Sequence, residues 1–191
     1  MKKIVTLLLA MFMIFAIIPS SLGEEAEVAE EATEVKEPES KVEQIMLKKG
    51  SAIIKEFIDC KTVELNSSAN ARFQTATITD VESGVKYFGI RVEFGYYTSK
   101  YDNGTAIALI DSDEIDSIVS TLEYIKAHKS EFVNYTEVAY TSNGGFTVGA
   151  YKNSSETGLF FKSGSHQRLF GIDKLVSIIQ GFKEAQAKIP Q

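Results

Sequence analysis

Two segments of this chain carry the same helical pattern, 57 residues apart. Ile115 to Lys126 and Ile172 to Lys183 share Ile, Asp, Val, Ser and Lys at matched places, from Ile115/Ile172 and Asp116/Asp173 to Lys126/Lys183. A duplication constrains a fold strongly, because copies of one supersecondary unit bury their apolar faces by packing on each other. Ile115, Ile118, Val119, Leu122 and Ile125 fall on one face at a spacing near 3.6. Ile172, Leu175, Val176, Ile179 and Phe182 do the same in the second copy.

The flanks repeat as well. Arg72 to Val81 and Glu131 to Tyr140 alternate as strands, followed by Gly84 to Tyr97 and Gly144 to Lys152. Thr105 to Ile110 then matches Thr157 to Lys162. Phe88, Ile90, Val92 and Phe94 point one way, and Tyr87, Gly89, Arg91 and Glu93 the other. Ser83–Gly84, Asp102–Asn103–Gly104, Asn143–Gly144–Gly145 and Ser163–Gly164 read as turns. The second copy gains a strand, His166 to Phe170. The first has an added element, Ser51 to Leu65, which reads as strand or short helix. The pattern predicts an α+β fold: a two-layer antiparallel β-sheet with two helices, built from a tandem pseudo-repeat over residues 51–129 and 130–189.

This strand-rich, helix-ended, doubled order is similar to the Pur-alpha and Whirly families. The resemblance implies binding of single-stranded nucleic acid. It covers element order over most of the folded region, and no family motif matches residue by residue. Charge argues the other way, since no basic patch interrupts the sequence.

The amino terminus bears on destination. Lys2 and Lys3 precede an apolar run from Ile4 to Ile18, then Pro19, Ser20, Ser21, Leu22 and Gly23, the pattern of a cleaved signal peptide over residues 1–23. A secreted or periplasmic location follows as an expectation, with no membrane span in the mature chain. Residues 24–43 hold nine Glu against Lys36 and Lys41 and no aromatic residue, so they read as an acidic disordered linker. A single domain is expected over 44–191. Cys60 is the only cysteine, so no internal disulfide forms, and it reads as a small buried apolar residue.

Catalytic signatures are scarce. The two histidines, His128 and His166, form no zinc motif, and no Gly-x-Ser-x-Gly elbow occurs. Asp111–Ser112–Asp113–Glu114–Ile115–Asp116 lacks the glycine and glutamate of a calcium loop and fits the acidic first turn of a helix, with a capping box from Asp111 to Glu114. No metal, cofactor or catalytic residue is assigned. Tyr96, Tyr97, Tyr101 and Asp102, with Lys100 and Asn103, cluster about one hairpin and form the candidate ligand-binding group. Phe160, Phe161 and Phe170 read as core. The expected function is an exported, non-catalytic binding or structural module of the bacterial cell envelope. Its partner would be a protein, peptide or glycan, with a homodimer as a further possibility. The alternative is an envelope hydrolase using carboxylates such as Glu93, Asp102 and Glu137 paired across strands.

Overall fold

The computed structural model describes residues 40–99 and 102–190, of Thr98, Ser99 and Asp102 the backbone alone. The expected signal peptide and most of the expected linker lie outside these residues. The fold is α+β, with two antiparallel four-stranded sheets and three helices. Sheet 1 holds β1 (Ile53–Asn66), β2 (Ala69–Asp80), β3 (Lys86–Ser99) and β4 (Asp102–Asp111) in sequence order. Sheet 2 holds β5 (Thr136–Thr141), β6 (Phe146–Lys152), β7 (Thr157–Ser163) and β8 (His166–Gly171) in the same order. A helix follows each sheet, α2 (Ile115–His128) and α3 (Leu175–Gln186). A short helix, α1 (Lys41–Met46), precedes them all. Among the described residues no helix is long and apolar enough to cross a membrane.

The duplication is present, with three corrections. The single sheet expected from sequence is two sheets, each completing a unit of four strands and a helix. The two apparent additions, Ser51–Leu65 and His166–Phe170, are β1 and β8, the first strand of one copy and the last of the other. In the helices and the 3-10 turns that open them, structurally equivalent positions are 60 residues apart rather than 57. Asp111 and Gly171 each cap a 3-10 turn that leads into the helix, and each pairs with a glycine on the preceding strand, Gly89 and Gly158. The buried faces obey that offset: Ile115, Ile118, Leu122 and Ile125 correspond to Leu175, Ile178, Phe182 and Ala185. A slip of three residues is nearly one helical turn, so it preserves the apolar face and deceives a sequence alignment.

The helices are exchanged between copies. α3 packs on β1, β2 and β3 of sheet 1, whereas α2 packs on β5 and β6 of sheet 2. Phe73 of β2 meets Phe182 of α3 at 5.1 Å in an edge-to-face pair. Phe161 of β7 touches Phe94, Phe146 and Phe170 within 5.5 Å, joining both sheets in one core. Lys183 reaches Glu123 at 2.7 Å and Gln186 reaches Asp116 at 2.7 Å, tying the two helices together at the surface.

The folded region takes in residues that precede Gln44. Ser40 caps α1 and Val42 is buried, so residues 40–43, expected in the linker, belong to the folded region. The buried Asp111 carboxylate accepts from Ser40 Oγ at 2.9 Å and from the amides of Lys41 and Val42 at 2.8 and 3.0 Å. Val42 then packs with Ala76, Ile78 and Leu109 on the outer face of sheet 1, a second small core. Glu114, also buried, reaches back to the Asp111 amide at 3.4 Å and accepts from Tyr140 Oη and the Asn143 amide at 3.2 and 2.7 Å. The acidic run therefore caps and clasps. Burial and the neighbouring Glu114 carboxylate push the Tyr140 hydroxyl pKa up.

Candidate functional site

Strand alternation sets the site. In β3, Ile90, Val92 and Phe94 face the core, which leaves Arg91, Glu93, Gly95 and Tyr97 on the outer face of sheet 1. One end of that face is covered by α1. At the other end, cross-strand pairing sets Thr62 beside Arg72 and Arg72 beside Glu93, with Gly95 opposite Thr105 and Tyr97 opposite Asn103. Together with Ser68, Asn70 and Arg168 they line an open groove of about 660 Å³. A second hollow, lined by Asn66, Ser165, Gln167 and Leu169, adjoins it and shares Ser68, Tyr97 and Arg168. Gly95 keeps the floor low: a Cβ there would come within 3.2 Å of Ala69 Cβ.

The cations on this face are held by a ladder of side chains. Arg91 donates to Glu93 at 2.6 Å and to Gln74, and Gln74 donates to Asp59 at 2.8 Å. Arg72 stands 3.7 Å from Asp59 and 4.0 Å from Glu93, a looser pairing that leaves it half exposed. Arg91 also lies over the Phe57 ring at 5.1 Å. Sheet 2 contributes Arg168, whose guanidinium crosses to the β1–β2 turn and donates to Asn66 Oδ1 and Ser68 Oγ.

The sequence candidates separate. Tyr97 is 59% exposed and lines both hollows. Tyr96 faces inward, packs against the core and lies 4.1 Å from the His166 ring, centroid to centroid, so it supports the groove from behind. Asp102 starts β4 with its backbone opposite Ser99. Tyr101 lies outside the described residues. The expected turn at Asp102–Asn103–Gly104 is instead the opening of β4, paired with Ser99, Tyr97 and Tyr96.

Asn70, Arg72, Glu93 and Arg168 were not singled out by sequence as ligand-binding. Alternation placed Glu93 on the face opposite the core, but nothing in the order of residues brings β8 beside the β1–β2 turn. The carboxylate pairing expected of a hydrolase is not formed by Glu93 and Glu137. They stand on different sheets, opposite Ile107 and Tyr151. His128 is bonded to the Tyr124 carbonyl at 3.0 Å and stacked on the Tyr124 ring at the end of α2. Cys60 is half-buried, with its Sγ 3.3 Å from Thr75 Oγ1. Among the described residues no group of three or more His, Cys, Asp or Glu could hold a metal ion. No protein-family model matches the chain, and no curated protein matches it in sequence.

Proposed function

We propose that this chain is an exported, non-catalytic module of the cell envelope that binds a glycan in the groove at the end of sheet 1. The observation that carries the reading is the convergence of side chains from both repeats on one open polar groove. The middle of its floor is the face of β2 and β3, each paired on both sides, so a ligand lying over them finds no free backbone edge; the free edges of the sheet are those of β1 and β4. An extended peptide recognised by strand addition needs such an edge. Recognition therefore falls to side chains. Thr62, Ser68, Asn70, Asn103 and Thr105 carry groups that donate or accept, which suits a sugar's hydroxyls. Tyr97 offers an exposed ring that packs on a sugar face at small entropic cost.

The test is calorimetric titration of the exported chain with oligosaccharides of bacterial envelopes, alongside a single-stranded oligonucleotide. Binding of one sugar class, weakened about tenfold or more by Tyr97→Ala and by Asn70→Ala, is the expected result. Salt-sensitive oligonucleotide binding without sugar binding overturns the reading in favour of the fold resemblance. Turnover of any glycan by the purified chain overturns its non-catalytic part.

A further inference from the structure

Arg168 differs from the other arginines on this face. Arg72 and Arg91 each stand within 4.0 Å of a carboxylate. Arg168 has only neutral partners among the described residues: its Nη2 donates to Asn66 Oδ1 and, at 3.1 Å, to Ser68 Oγ. Its Nε–H is buried with no partner. The guanidinium is nevertheless fixed. Asn66 Oδ1 also accepts from the Ser68 amide and from Ser68 Oγ, each at 3.1 Å, so the turn and the arginine lock each other.

A half-buried cation with no counter-charge among the described residues is costly, and a buried donor left unpaired adds to that cost. Packing alone explains such a residue poorly, since a neutral glutamine could serve the same two acceptors. The position is also informative, because Arg168 lines both hollows at their junction, beside the exposed Tyr97 ring. A guanidinium held in advance by neutral groups keeps its full charge for an incoming anion and loses little freedom when it binds one.

We propose that Arg168 is an anion-recognition point and that the glycan of this groove is an acidic sugar, whose carboxylate it meets. The inference rests on the glycan reading above. Tyr97 then packs on the ring that bears the carboxylate, and the amides and hydroxyls of sheet 1 read the neutral hydroxyls beside it. Glu93, bonded to Arg91 and 4.0 Å from Arg72, instead balances the charge of those two arginines.

The experiment compares tetragalacturonate with its carboxyl-reduced analogue by calorimetry, using the exported chain, Arg168→Gln and Arg168→Lys. The acidic sugar is expected to bind about tenfold tighter than the reduced one. Arg168→Gln is expected to erase that preference, so that the variant binds the two sugars with equal affinity. Arg168→Lys keeps the charge but loses the planar fork, so it retains part of the preference. Equal affinity of the unmodified chain for the two sugars overturns the proposal and leaves the glycan reading standing. A preference that survives Arg168→Gln overturns it too, and moves the anion elsewhere in the groove. Binding of neither sugar, when other envelope glycans also fail, overturns both readings. Should Arg168→Gln unfold, the comparison of the two sugars with the unmodified chain still decides.

Discussion

Alanine at Gly181 tests how closely α3 is seated on sheet 1. Gly181 lies inside α3, where helix propensity by itself favours alanine by about 1 kcal/mol. Contact opposes that gain. A Cβ at this position would lie 2.6 Å from Cδ2 of Phe73 and 2.8 Å from its Cγ and Cε2. The ring has nowhere to retreat, since Phe73 is fully buried between Phe182 at 5.1 Å and Phe161 at 6.5 Å. Overpacking of a filled core costs about 1–3 kcal/mol, so the contact outweighs the propensity. The expected outcome of Gly181→Ala is a net loss of about 1 kcal/mol, read as a lower urea midpoint at an unchanged slope. In a Phe73→Leu background the obstruction is gone and the sign reverses, giving a coupling of about 2 kcal/mol across the double-mutant cycle. Stabilisation by Gly181→Ala in the unmodified protein, or the same effect in both backgrounds, would refute the close seating.

Three further outcomes follow from the clasp and the exchanged helices. Asp111→Ala removes the acceptor for Ser40 and for two α1 amides, so stability falls by about 3 kcal/mol and the Lys41 and Val42 amides lose protection from hydrogen exchange. Unchanged protection would show that α1 is held by packing alone. Burial, and then the Asp111 carboxylate, hold the Glu43 carboxyl above its ordinary pKa. The folded state therefore binds that proton more tightly than the unfolded state, whose value is about 4.3. Stability attributable to Glu43 falls as pH rises from the unfolded to the folded value. Glu43→Gln is thus expected to raise Tm at pH 7 and to match the parent below about pH 4; an equal shift at both pH values counts against this. Truncation after Lys174 removes α3 and bares the inner face of sheet 1, so dye binding rises and cooperative unfolding is lost. A sharp, native-like transition in that fragment would mean that sheet 1 is stable uncovered.

Much of the fold is written locally. The alternation of Phe88 to Phe94 specifies β3 and its faces, and Asp111 with Glu114 marks a helix start that the structure bears out. Asn143–Gly144–Gly145 marks the β5–β6 hairpin, where Gly145 takes a φ of 78°. Other features depend on distant partners. The apolar face of α3 says that it is buried, not that sheet 1 of the other copy covers it. The offset misread by three residues has the same origin, because periodicity reports a face and not a register. Residues 40–43 read as linker from their glutamate-rich setting, while the Asp111 carboxylate that orders them lies about 70 positions away. Of the groove, sequence showed the exposed Tyr97, whose aromatic type among polar neighbours stood out. Arg168 stayed hidden because an arginine in a strand looks the same whether it faces solvent or a turn on another sheet.

The exchange of helices sets a timetable for the newly made chain. Sheet 1 is complete in sequence at Asp111, yet the helix that shields it ends only at Gln186. A partly synthesised chain has Ala71, Phe73, Val92 and Phe94 ready and no lid for them. Commitment to the native state waits for the final turns of α3, and until then the ribosome-bound chain stays pliable and in need of protection from aggregation.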